Sequence, residues 1–369
     1  MVERKFLTIG VLAGLVALSA VTIDGQAPAG QAPAGPGQGT PAAGAPPPGQ
    51  GRGAPGAPAG RGGPAGGGAR GGGGGGRGDA GAFTPVAGAK DMKSVLFNWT
   101  WSMGMLRSGS ESELIKTLHY EGAGGTIQVN GQPCTLTKYQ MDANYQLPGY
   151  RVQIACTRAN KTTYTNVENL SGDFSWDDDI AGAELVPGKG KSTPRPEAYE
   201  ERWIRLWASP QGAPKAAIAA AAGLPPAESF GQNPATLLDR QAAAGAKSLA
   251  TLEWLPAEKP GLAERAVITF PIPGLAGAMA KATLDGKTYL PSSVVVTHGA
   301  NTTEFVYSNW QDWNNPLFKI EALYAGTMVE RKGGVVLRTV RAKVTEVGQI
   351  YVIVPVPESV QKAGPAKKS

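Results

Sequence analysis

The sequence predicts an α+β domain, an antiparallel sheet packed on a few helices, carried behind a disordered Gly/Pro-rich tether. Three observations carry that reading. Of the 52 Gly in this 369-residue chain, 26 crowd into the 82 residues ahead of Phe83 together with 10 of the 30 Pro, which leaves about 285 residues of more ordinary globular composition behind them. Strand-like runs separated by turn residues dominate that part, most clearly over Lys281–Glu321. Apolar residues recurring every three to four positions mark helices at Met92–Leu106 and Ala198–Ala208.

Residues 1–27 read as a signal peptide or an N-terminal anchor. Glu3, Arg4 and Lys5 supply a charged start, and Phe6 to Val21 is an apolar run short for a membrane span. Ala20 or Ala27 would precede a cleavage site, with an uncleaved anchor as the alternative. On either reading the chain is exported, to the periplasm or beyond, and touches a membrane only through this segment if it stays uncleaved. Residues 28–82 lack the apolar side chains that offset the entropy of ordering and read as a disordered Pro/Gly/Arg-rich linker. Arg-Gly repeats around Arg61, Arg70 and Arg77 follow from that biased composition. A net charge of +6 is small for the length, so no nucleic-acid partner is expected.

Order begins near Phe83. Met92, Val95, Leu96, Trp99, Met103 and Leu106 share one face of a helix expected to run about four turns. Strand-like pieces follow at Lys116–Gly122, Thr126–Val129, Cys134–Met141, Tyr150–Thr157 and Thr162–Leu170, with Asn130-Gly131 as a hairpin turn. Neighbours in sequence are expected to pair as a meander. Cys134 and Cys156, the only cysteines, fall roughly opposite each other if the hairpin centres on Tyr145. An exported chain meets an oxidising compartment, so a disulfide is expected, with two separate thiols as the alternative. Asp177, Asp178 and Asp179 read as a solvated acidic loop, because a calcium loop would space its ligands.

The helix Ala198–Ala208 carries Tyr199, Trp203, Leu206 and Trp207 on its apolar side. Ser209-Pro210 reads as a cap with Pro at the first helical position of an Ala-rich helix, Lys215–Gly223. One short helix is expected near Ala235–Ala244. The rest is β: Leu249–Leu255, Ala266–Phe270, the Lys281–Glu321 hairpins, Phe318–Tyr324, Val335–Val347 and Ile350–Val356. Residues 83–357 are read as the folded domain and 358–369 as a flexible basic tail.

Catalytic motifs are hard to find. His119 and His298 are the only histidines, and both sit in probable strands or beside them. No nucleophile elbow, phosphate loop or dinucleotide fingerprint stands between a strand and a helix. No catalytic residue, metal site or cofactor is therefore expected, and an enzyme built on dispersed carboxylates is unsupported.

The hairpin region does resemble a known family. ATLDGKTYLP (282–291), then a strand, then FVYSNWQD (305–312) resembles the β-hairpins of outer-membrane lipoprotein-sorting-like domains. LSGDFSW (170–176), ERWIRLW (201–207) and SPQGAPKAA (209–217) look similar to the exported β-rich region preceding some bacterial metallo-β-lactamase-fold hydrolases. The hydrolase and its His-x-His-x-Asp-His motif are absent from this chain, so its activity is not carried over. The resemblance implies a curved half-barrel wrapped around helices, with an apolar concave face for a lipid or another apolar ligand. Trp99, Met103, Val294, Val296, Phe305 and Tyr307 are the candidate lining, and the same positions suit a plain core. The expected function is thus a non-catalytic binding protein of the bacterial cell envelope. The alternative is an interaction module that meets an envelope protein partner through Trp310 and Trp313.

Overall fold

A computed structural model describes residues 83–106, 115–315, 320–347 and 351–366. The segments 1–27 and 28–82, with the signal and linker readings, lie outside them. The described chain opens with helix α1 (Met92–Ser102). Seven strands follow: β1 (Thr117–Gly122), β2 (Thr126–Val129), β3 (Gln132–Asn144), β4 (Gly149–Arg158), β5 (Thr163–Ser171), β6 (Phe174–Asp178) and β7 (Ser192–Pro194). Four helices come next: α2 (Tyr199–Trp207), α3 (Gly212–Ala222), α4 (Pro226–Ser229) and α5 (Pro234–Ala243). Then come β8 (Thr251–Leu255), β9 (Arg265–Pro271), β10 (Met279–Asp285), β11 (Pro291–His298), β12 (Asn301–Asn315), β13 (Ile320–Lys332), β14 (Val335–Val347) and helix α6 (Glu358–Ala363).

The strands form one antiparallel sheet in the order β7-β6-β5-β4-β3-β1-β14-β13-β12-β11-β10-β9-β8. Two runs of local hairpins are thus joined by long-range ladders of β1 and the short β2 on β14. The sheet curves around α2 and α3 as the expected half-barrel. Tyr199, Trp203, Leu206 and Trp207 of α2, the alanines of α3, and Trp99 and Met103 of the α1 region share one core with the inward residues of both strand runs. Small alanines let α3 approach the other core elements closely. No helix among the described residues is long and apolar enough to cross a membrane.

Most elements stand where the sequence places them. Asp91 caps α1 by accepting from the Ser94 N–H at 2.9 Å. Asn130 and Gly131 both take positive φ, as a two-residue hairpin turn requires. Cys134 and Cys156 are bridged, with their Cα atoms 5.6 Å apart. They are diagonal rather than opposite, since Cys134 faces Arg158 and Cys156 faces Leu136, just ahead of a register shift.

Several expectations need correction. The first helix stops at Ser102 rather than Leu106, because Gly104 turns left-handed at φ +69°. β1 does not pair with β2. The two lie end to end between β3 and β14, and a Cβ on Gly125 would come within 1.9 Å of the Thr339 carbonyl oxygen. The Ala-rich helix begins at Gly212, two residues beyond Pro210, with Ser209 Oγ accepting the Gly212 N–H at 3.1 Å.

The acidic triplet is not a solvated loop. Asp177 and Asp178 end β6, and Asp178 is buried where it accepts from Ser192 Oγ (2.7 Å) and Asn169 Nδ2 (3.0 Å). Nor is the segment after 357 all flexible tail, for Glu358–Ala363 is helix α6 and Val360 is buried. Val352 and Val354 ahead of it join Val360 over Trp176, while Tyr351 and Ile353 alternate outward. That stretch keeps a strand's alternation with no ladder partner among the described residues.

Candidate ligand-binding cleft

Between the inner sheet face and the α2–α3 turn lies a narrow cleft of about 40 Å³. Period-two alternation builds its sheet side: Leu118 and Tyr120 from β1, Tyr139 and Met141 from β3, Phe305 and Tyr307 from β12, Tyr324 and Met328 from β13, and Val340 from β14. Arg205 of α2 and Ser209 and Pro210 behind it form the helical side. Tyr145, from the β3–β4 turn, places its hydroxyl 2.9 Å from Ser209 Oγ.

The tyrosines are arranged as a stack with their hydroxyls tied down. Tyr120 packs between Tyr139 and Tyr324, at ring-centroid distances of 5.7 and 4.9 Å. Tyr324 donates to Met328 Sδ at 3.3 Å, and Tyr307 donates to the Ala208 carbonyl. Burial pushes the hydroxyls of Tyr120, Tyr307 and Tyr324 well above the ordinary tyrosine range, so they remain protonated donors.

One end of the cleft is charged, which the apolar concave face implied by the resemblance does not include. Arg205 directs all five of its N–H groups to acceptors. Nε and Nη2 grip Glu330 at 2.9 and 3.0 Å, Nη1 reaches Tyr150 Oη at 3.1 Å and Glu168 Oε2 at 3.2 Å, and Nη2 reaches Glu201 Oε1 at 2.7 Å. Arg338 lies across from it, with Nη2 3.1 and 3.3 Å from the two Glu168 oxygens and Nη1 3.0 Å from Tyr139 Oη. Its Nε is 3.5 Å from Glu330 Oε2. Burial alone would raise the Glu168 carboxyl, but the guanidinium groups of Arg338, Arg205 and Arg202 outweigh it and hold the group at about 2. Arg205 is driven above its ordinary value, because Glu330, Tyr150 and Glu168 together outweigh the cost of burying it.

This network also serves the architecture. Glu168 sits on β5 and Glu330 on β13, four and one strands away from β14 in the sheet, so Arg205 and Arg338 bind the two strand runs across the concavity. Arg205, Arg338 and Glu168 keep their charges near neutral pH, and the network fixes position and charge.

Of the candidate lining residues, Phe305 and Tyr307 stand at this cleft. Trp99, Met103, Val294 and Val296 do not. Each is fully or almost fully buried in the main core. Trp310 is half-buried against the same core, its ring 6.3 Å from Tyr307, and the side chain of Trp313 lies outside the described residues. His119 pairs with Asp142 through Nδ1 at 2.6 Å, and His298 stands 3.3 Å from Glu200, so neither enters the cleft.

No family model matches the chain, and no curated protein matches it. Among solved structures it is similar to an outer membrane lipoprotein-sorting protein domain from Vibrio parahaemolyticus, at 10% identity and a TM-score of 0.35, over 69% of this chain and 92% of that one. It is also similar to a LolA superfamily protein from Nitrosomonas europaea, at 9% identity and a TM-score of 0.33, over 71% of this chain and 96% of that one. The first of these bears the family name that the motifs at 282–291 and 305–312 resemble. At such identity the likeness concerns the fold alone.

Proposed function

We propose that the chain is a non-catalytic, exported protein of the bacterial cell envelope that binds a lipid acyl chain or a similar apolar ligand in this cleft. The observation that carries the reading is the lining itself. Five tyrosines, Phe305, Met141, Met328 and three aliphatic side chains converge on one space at the concave face of the sheet. Aromatic and thioether side chains are adaptable apolar partners, and the two methionines of the lining can repack around a chain. A space of about 40 Å³ is roughly tenfold smaller than an ordinary ligand pocket, so the ligand-free cleft is closed by its own side chains.

The non-catalytic part of the reading has its own support. A general acid or base works best with a pKa near the operating pH. Here Glu168 is held near 2 and Tyr120, Tyr307 and Tyr324 well above the usual tyrosine range, so these groups keep one protonation state across neutral pH.

Native mass spectrometry of the full chain, purified from an exporting bacterial host and then extracted with organic solvent, tests the proposal. A bound mass in the lipid range that disappears on extraction is the expected result. A bare protein that also takes up neither dodecanoic acid nor 1-monododecanoylglycerol would sink it.

A further inference from the structure

We infer that the cleft selects an apolar ligand whose polar head is uncharged, an acyl ester, glyceride or amide, and discriminates against the ionised carboxylate of a free fatty acid. The inference rests on the binding role proposed above and adds the class of head group. It starts from a tally of charge at the polar end. Two guanidinium groups, Arg205 and Arg338, face the carboxylates of Glu168 and Glu330, and Glu201 adds a third carboxylate on the solvent side. Lys332, half exposed, lies 4.0 Å from Glu201. The two buried cations are therefore balanced by two buried anions before any ligand arrives.

An arginine in an apolar pocket usually suggests a partner for a carboxylate. That reading fails for Arg205. Each of its five N–H groups already meets an acceptor at 2.7 to 3.2 Å. Arg338 is engaged by both oxygens of Glu168, by Tyr139 and by Glu330. A ligand carboxylate would bring a further negative charge beside Glu330 and Glu168 in a site that excludes water. It would either stay unpaired or displace one of those buried carboxylates from its guanidinium, and both outcomes are costly. An ester or amide head needs only hydrogen bonds. The Tyr139 hydroxyl, which accepts from Arg338 Nη1 at 3.0 Å, keeps its own proton to donate to such a head.

A matched pair of ligands tests the inference on the intact chain. Dodecanoic acid and 1-monododecanoylglycerol share an acyl chain and differ in head charge. Displacement of a fluorescent apolar probe from the full chain should show the glyceride binding at least about tenfold more tightly at neutral pH. Lowering the pH from about 7 to about 4 protonates much of the fatty acid, while Glu168 stays ionised, so the gap should narrow. Glu330→Gln keeps the shape of the side chain and removes one buried negative charge. In that variant dodecanoate should gain on the glyceride.

Dodecanoate binding as well as or better than the glyceride at neutral pH would overturn the head-group inference and leave the binding role standing. Uptake of neither ligand would sink both. Should Glu330→Gln fail to fold, the two ligands and the pH series on the unaltered chain still decide the matter.

Discussion

Glu330 is the residue on which the buried network turns, since it holds Arg205 through two hydrogen bonds and reaches Arg338 through Oε2. Removing one member of a buried ion pair strands the other, whereas replacing both with apolar groups of similar volume is nearly neutral. Glu330→Ala should therefore cost about 3–5 kcal/mol in urea unfolding. The joint change Arg205→Met with Glu330→Leu should cost much less than the sum of its single changes, and simple additivity would show that the pair is not coupled. Glu168 gives the network a pH signature. Its carboxyl is depressed in the folded state, so its stabilisation is full above the unfolded value of 4.5 and is lost as the pH falls toward about 2. A shift of that size corresponds to about 3 kcal/mol. Unfolding midpoints measured across that window should fall more steeply for the native chain than for Glu168→Gln. None of these residues stands out in the sequence, where Glu201 and Arg205 look like an ordinary surface pair one helical turn apart. The trace they leave is parity: Arg338 shares its strand face with buried Val340, and Glu330 shares its face with Met328. A charged residue at an inward position is visible in the sequence, but its partner is not, because the partner comes from a distant strand.

At the scale of elements, local chemistry was readable and long-range pairing was not. The Asn130-Gly131 turn and the aromatic stripe of α2 each follow from a few adjacent residues, and each stands in the structure. The β1–β14 ladder joins residues more than 200 positions apart, and nothing in either strand names the other. Helix α6 went unread for a related reason. Its six residues and single buried valine make no amphipathic pattern, and its docking depends on Trp176 turning outward from β6. The disulfide is the element-scale feature most open to test. It closes the β3–β4 hairpin over a separation of 22 residues, so paired Cys134→Ala and Cys156→Ala changes should cost about 2–4 kcal/mol. Thiol titration of the unfolded native chain should find no free thiol before reduction and both cysteines after it. A full count before reduction would rule the bridge out.

The molecule as a whole must reconcile a binding role with a core that is nearly full. A half-barrel whose concavity is occupied by α2 and α3 leaves only about 40 Å³ in the cleft, far less than an acyl chain needs. The charged network holds the helix to both strand runs at one end, so opening there would break buried ion pairs and is disfavoured. The apolar end is held by packing and by single hydrogen bonds, from Tyr307 to the Ala208 carbonyl, between Tyr145 and Ser209, and from Gln211 Nε2 to the Leu323 carbonyl. The turn carrying Ser209 and Pro210 is then the part expected to lift, with Met141 and Met328 swinging aside. If the closed form predominates and the ligand enters only a minor open form, opening limits the rate of uptake. Stopped-flow mixing of the full chain with 1-monododecanoylglycerol should give an observed rate that reaches a plateau as ligand is raised. Tyr307→Phe, which removes one tie to the Ala208 carbonyl, should raise that plateau while leaving the buried charge network in place. A rate that climbs linearly to the highest ligand concentration, unchanged by the substitution, would mean that the cleft is open without any such movement.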